Sequence, residues 1–133
     1  MDAAHIMPLV LVVDDDRACR EMYAGFLRMA GFEVVEAHNG NQALSKAVER
    51  PPAIVVTDLA LPGMDGYQLA RTLRQQTPTG QLPIIAITGH TGFVDDTARA
   101  IGAGCDVVLI KPCLPDRLLE EIERLLTRVL PPV

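Results

Sequence analysis

The sequence predicts an α/β protein, a doubly wound sheet of five parallel strands with helices on both faces. Five short apolar runs recur along the chain, at residues 9–13, 32–37, 53–57, 83–87 and 107–110. Each is followed by a segment whose apolar residues repeat at helical spacing, and the connections between them are short. Parallel neighbours need a crossover, which a helix supplies, so regular strand–helix alternation points to stacked βαβ units. The length of 133 residues suits one domain, expected to span 1–133 with its core over residues 8–130.

Taken in order, residues 9–13 are apolar throughout and read as a central strand buried on both faces. Asp14, Asp15 and Asp16 follow it. They stand just before a helix expected over 17–30, whose N-terminal dipole favours negative charge. In that helix Ala18, Met22, Tyr23, Phe26, Leu27 and Ala30 fall at helical spacing, and Gly31 ends it. The second strand centres on Val34 and Val35, and Asn39-Gly40 reads as a turn. A helix over 42–50 places Ala43, Leu44, Ala47 and Val48 inward, until Pro51-Pro52 stops it. The third strand runs into Asp58, then the Pro62-Gly63 turn, and Asp65-Gly66 opens a helix carrying Tyr67, Leu69, Ala70 and Leu73. The fourth strand ends in Thr88-Gly89-His90, and a weaker helix over 95–101 lies between Gly92 and Gly102. The fifth strand ends in Lys111-Pro112. The last helix, 114–130, carries Leu118, Leu119, Ile122, Leu125 and Leu126, and Pro131-Pro132-Val133 stops it.

Composition narrows the function. Hydrophobic residues make up 49% and aromatics only 4%, with no Trp, so the core is aliphatic. The apolar runs are far too short to span a bilayer. Residues 1–7 lack the basic cluster and apolar core of a signal peptide. The net charge of −5 leaves no basic stripe for phosphate neutralisation, so no direct nucleic-acid binding is expected. Cys19, Cys105 and Cys113 are odd in number and lack metal spacing, which fits small hydrophobes in a reducing cytoplasm. His5, His38 and His90 have no mutual spacing for a metal site or triad.

The polar residues that remain fall at strand ends: Asp14 and Asp15, Asp58, Thr88 and Lys111. In open parallel sheets the crevice lies outside the carboxyl ends of the strands, where strand order reverses. These groups therefore converge on one edge. Two unit charges about 4 Å apart repel by about 4 kcal/mol at an effective dielectric near 20. Either one acid holds a proton or a divalent cation sits among them, and oxygen ligands with room for water suit Mg²⁺. Lys111 would pair with Asp58 or with a phosphate oxygen, and the Thr88 hydroxyl could donate to that phosphate. Phosphoryl transfer needs mainly positioning and charge neutralisation, with Asp58 as the nucleophile. Blander readings stand beside these: Asp14 to Asp16 as a solvated helix cap, Lys111 as a surface lysine, Thr88 bonding its own backbone.

The segments Leu11-Val12-Val13-Asp14-Asp15-Asp16, Asp58 through Gly66, Ile87-Thr88-Gly89 and Ile110-Lys111-Pro112 resemble the receiver domain of two-component response regulators, in order and spacing. The resemblance implies a flavodoxin-like (βα)5 fold with strand order 2-1-3-4-5. It implies that Asp58 accepts a phosphoryl group from a histidine kinase or histidine phosphotransfer protein. Asp15 and Asp58 would hold Mg²⁺ directly, Asp14 partly through water, and the backbone carbonyl of Ala60 would complete the protein's share. Thr88 would be the switch hydroxyl and Lys111 the phosphate-pairing cation, with a cis peptide before Pro112. The domain would then be a cytoplasmic signalling switch, a monomer or weak homodimer, catalysing only its own phosphorylation and dephosphorylation and acting on a downstream protein or output domain. The kinase would touch the first helix near Arg17 and Arg20, and residues 112–114.

Three positions depart from the family's habit or tune it. Val108 stands where an aromatic often precedes the lysine by three, Ala60 lies two after Asp58, and His90 lies two after Thr88. Two other functions compete: a haloacid-dehalogenase-type phosphatase with Asp14 as nucleophile and Asp16 as its paired acid, and a partner-binding pseudo-receiver.

Overall fold

The computed structural model describes residues 7–89 and 94–129. His5, His90, Gly92 and residues 130–133 lie outside the described residues, with the expectations attached to them. The strands are β1 Leu9–Val13, β2 Glu33–Ala37, β3 Ile54–Asp58, β4 Ile84–Thr88 and β5 Val107–Ile110. The helices are α1 Arg17–Met29, α2 Gly40–Glu49, α3 Gly66–Gln75, α4 Val94–Ala103 and α5 Pro115–Val129. All strand pairs are parallel, in the order β2-β1-β3-β4-β5. The reversal of strand order falls between β1 and β3, the two strands that lead into Asp14 and Asp58.

Strand periodicity splits the core into two layers. Val10, Val12, Ile54, Val56, Ile85 and Ile87 pack with Tyr23, Leu27, Leu118 and Ile122 of α1 and α5. Leu11, Val13, Val55, Ile84 and Ala86 pack with Ala43, Ala47, Leu69, Leu73 and Ala100 of α2, α3 and α4. The buried residues of α2 and α4 in this layer are alanines: Ala43, Ala47, Ala100 and Ala103.

Helix starts follow local chemistry. Asp16, Asn39 and Asp65 cap α1, α2 and α3, accepting from Ala18 N, Gln42 N and Gln68 N. Each such cap is worth about 1 kcal/mol. Asn39-Gly40 is therefore a helix start and not a free turn, so α2 begins two residues before the expected position. Gly31, at φ 102°, ends α1 in a conformation that favours glycine.

Helix faces correct the sequence reading in three places. Ala18, Met22 and Ala30 are exposed, and the buried arc of α1 is Tyr23, Ala24 and Leu27. Arg20, three and seven residues before Tyr23 and Leu27, lies on the inward edge of that arc, with 15% side-chain exposure. Val48 is 39% exposed, so α2 buries only Gly40, Ala43 and Ala47.

A buried acid on α5 escaped the sequence reading. Glu121 is 5% exposed and accepts hydrogen bonds from Arg124, with Arg117 at 3.4 Å. The Arg124 hydrogen bond, helped by charge and by Arg117, outweighs burial and lowers the Glu121 pKa below the ordinary value. A depressed folded pKa means stabilisation that is complete above the unfolded value, about 4.3, and lost as pH falls through the folded one. Glu121→Gln is expected to shrink the drop in urea midpoint between about pH 5 and about pH 3. An acid limb identical to wild type would show that this carboxylate contributes nothing there.

Candidate functional site

Register brings the strand ends together. Val13 pairs with Thr57, which sets Asp14 beside Asp58. Asp58 pairs with Ile87, and Thr88 with Ile110, so Thr88 and Lys111 close the other side. The Lys111 N–H donates to the Thr88 carbonyl at 2.8 Å, tying the β5 tip to the β4 tip. The Lys111–Pro112 peptide is cis.

Asp14 and Asp58 are 4% and 8% exposed, whereas Asp15 faces solvent. One carboxylate oxygen from each of Asp14, Asp15 and Asp58 lies within 4.8 Å of the others. The two buried acids are built alike. Asp14 Oδ1 accepts from Asp16 N and Asp58 Oδ1 accepts from Ala60 N, both at 2.9 Å. Their other oxygens face Lys111 Nζ, at 3.4 Å for Asp14 and 2.9 Å for Asp58. Each side chain is thus locked by its own local turn and aimed at one shared cation.

The Ala60 N–H offsets part of the cost of burying Asp58, and the lysine supplies the opposite charge that nothing nearby in sequence could. Burial works against the Lys111 charge, but the hydrogen bond and attraction of Asp58, with Asp14 behind it, win and raise its pKa. Cys19 lies against Asp14. Its thiol is pushed up to about 11, first by burial, then by the hydrogen bond and charge of Asp14, so it stays protonated at neutral pH.

Two sequence readings are refined. Asp16, which was not among the expected metal ligands, caps α1: its Oδ1 accepts from Ala18 N and Cys19 N. The cap reading therefore holds for Asp16, not for buried Asp14. Asp16 is also removed as the paired acid a phosphatase would need. Arg20 is not offered to a partner. Its guanidinium turns inward to Glu36 and to the Asp14 carbonyl. Val108 is half-buried against the α3–α4 layer, a stiff β-branched side chain where a swinging aromatic could have stood.

Fold and site define a class: doubly wound α/β proteins whose strand tips gather carboxylates and a lysine beside the switch point, in a set that could hold a metal ion. The chain belongs to the response regulator receiver domain family, whose model matches residues 10–123. It is 38% identical over 122 residues to the phosphate regulon transcriptional regulatory protein PhoB of Pseudomonas aeruginosa, covering 92% of this chain and 53% of that protein. It thus spans about half the length of the curated relatives it matches. Among solved structures it is similar to the chemotaxis response regulator CheY4 of Vibrio cholerae, with TM-score 0.85 and 31% identity over 90% of this chain and 99% of that one. The receiver domain of a signal transduction histidine kinase from Syntrophus aciditrophicus gives TM-score 0.86 and 28% identity, covering 95% of each chain. The chain is a phosphoacceptor receiver domain of two-component signalling, and the comparisons do not favour the dehalogenase-type reading. Among the described residues no helix is long and apolar enough to cross a membrane.

Proposed function

We propose that Asp58 is the phosphoacceptor and that Asp14, Asp15, Asp58 and the Ala60 carbonyl hold Mg²⁺. The observation that carries this reading is the convergence of three carboxylate oxygens within 4.8 Å, two of them sharing Lys111. An all-oxygen donor set with an exposed third acid fits a hard, partly hydrated cation. Bound there, the cation would neutralise charge on the transferring phosphoryl group.

The chain's own part is to aim and to balance. An Asp58 carboxylate oxygen forms a bond to phosphorus as the donor's phosphorus–nitrogen bond breaks, and the histidine nitrogen leaves with the electron pair. Lys111 then shifts from the carboxylate to a phosphoryl oxygen, and the Thr88 hydroxyl, at the adjoining tip, donates to another. The protein catalyses only its own phosphorylation and dephosphorylation.

The donor is a histidine kinase or histidine phosphotransfer protein. Its docking surface combines exposed Arg17 and Met22 of α1 with Leu114, which is 68% exposed. Tyr23 Oη, donating to the Cys113 carbonyl at 2.7 Å, holds α1 against residues 112–114 and makes this one surface. The phosphorylated form would act on a downstream protein or an output domain, in the cytoplasm, without direct nucleic-acid contact and as a monomer or weak homodimer.

Mass spectrometry after treatment with acetyl phosphate and Mg²⁺ tests the reading: one phosphoryl group on Asp58 is expected, and modification elsewhere would sink it. Thermal stability is expected to rise with Mg²⁺ by mass action, by about 2.7 kcal/mol at a hundredfold excess over Kd. A melting temperature unmoved across millimolar Mg²⁺ would count against the cation.

A further inference from the structure

We propose that Arg20 is a positioning residue for the cation-holding carboxylates Asp14 and Asp15, acting through the backbone between them. The proposal rests on the cation reading above and adds to it a residue that touches neither carboxylate.

Asp14 is the first residue past β1, and its N–H still belongs to the sheet, donating to the Ala37 carbonyl at 3.1 Å. Its own carbonyl lies beyond the last residue of β2. Arg20 supplies the partner: Nη1 donates to the Asp14 carbonyl at 2.9 Å. The same guanidinium donates through Nε to Glu36 Oε1 at 3.2 Å. Glu36 precedes Ala37 in β2, so the contacts close a ring. It runs from the Asp14 carbonyl through Arg20 and Glu36 to Ala37, and back to the Asp14 N–H.

The ring is anchored on its far side. Glu36 Oε2 accepts from Arg28 at 3.3 Å, and the Glu36 carbonyl accepts from Lys46 at 2.6 Å. Residues from α1 and α2 thus converge on one β2 residue that holds Arg20 in place.

The Asp14 carbonyl is part of the peptide joining Asp14 to Asp15. Fixing that oxygen fixes the plane of the peptide, and with it the directions in which both side chains leave the backbone. One of them is buried and locked to Asp16 N; the other is exposed and, among the described residues, has no hydrogen bond to aim its carboxylate, which leaves the backbone to do so. Charge is not the proposed means of action, although Glu36, which Arg28 shares, only partly offsets the guanidinium. The planar fork is, since it serves a carbonyl and a carboxylate at once, and an ammonium cannot copy that geometry.

A ¹⁵N–¹H NMR titration with MgCl₂ alone, on wild type, R20A, R20K and E36Q, tests this, with melting temperatures in EDTA for each. Arg20→Ala is expected to weaken Mg²⁺ binding by about tenfold, the lower end of what outer ligand-orienting residues contribute. R20K is expected to remain weakened, and E36Q to fall between wild type and R20A. Labelling by acetyl phosphate should need more Mg²⁺ in R20A yet reach the wild-type rate at saturation. A wild-type Kd in R20A alongside a lowered EDTA melting temperature would make Arg20 purely structural and overturn the role. Full rescue by R20K would assign the effect to charge and overturn it as well. If R20A does not fold, unchanged Mg²⁺ affinity in both R20K and E36Q overturns it. A wild type that ignores Mg²⁺ brings down the cation reading itself, which a responsive wild type with an unaffected R20A does not.

Discussion

Asp58→Asn is expected to end phosphoryl incorporation from acetyl phosphate, a loss of at least about a hundredfold, because no nucleophile replaces the carboxylate. The fold should survive. Asn is close to isosteric, and its amide oxygen can still accept the Ala60 N–H that Asp58 Oδ1 now accepts at 2.9 Å. The amide NH₂, standing where Oδ2 now accepts from Lys111 at 2.9 Å, cannot accept, so Lys111 turns to Asp14, already at 3.4 Å. Electrostatics even favours the variant without metal. Three carboxylates and one ammonium share the pocket, and removing one anion relieves repulsion that the lysine only partly offsets. Melting temperature in EDTA should therefore equal or exceed that of wild type while labelling is lost. Retained labelling in the variant, for instance on Asp14, would overturn the assignment.

Gly66→Ala is expected to destabilise the protein by about 3 kcal/mol, the upper part of the range for overpacking. Gly66 opens α3 with an ordinary helical backbone, and its N–H donates to the Leu59 carbonyl at 3.0 Å. A methyl group there would collide with the Asp58 carbonyl oxygen and stand 2.7 Å from Leu59 Cα. Both neighbours are backbone, so neither can rotate away. The gain in helix propensity from replacing glycine is about 1 kcal/mol and does not cover the clash. Against a typical total of about 5–15 kcal/mol the loss is large. It would also move Asp58, the proposed acceptor, because the strained peptide is the one that carries it. A urea titration reads the stability, and a labelling rate measured below the transition reads the displacement. A variant as stable as wild type would show that the α3 start yields easily and does not brace the acceptor.

The candidate site was legible in the sequence because polar residues at the ends of apolar runs are costly and therefore conspicuous. Asp58 after Val55-Val56-Thr57 and Lys111 after Leu109-Ile110 stand out on that ground alone. What distinguished the three successive acids did not stand out. Asp14, Asp15 and Asp16 are identical in type, yet one is buried and paired, one is exposed in the cluster, and one caps a helix. The chain turns within those three residues, and the direction of each side chain depends on the turn. Arg20 was legible in principle: its spacing to Tyr23 and Leu27 marks the inward face, but a charged residue on a helix reads first as surface.

Local chemistry, then, determined the alternation of strand and helix, the caps at Asp16, Asn39 and Asp65, and the set of side chains delivered to one edge of the sheet. Those follow from periodicity and backbone preferences that act within a few residues. Tertiary structure alone decided that Lys111 bridges Asp58 and Asp14, which lie 53 and 97 residues away in sequence, and that Arg20 reaches Glu36 and the Asp14 carbonyl. Such partnerships depend on strand register and helix rotation, which the whole packed sheet sets at once and no short segment carries.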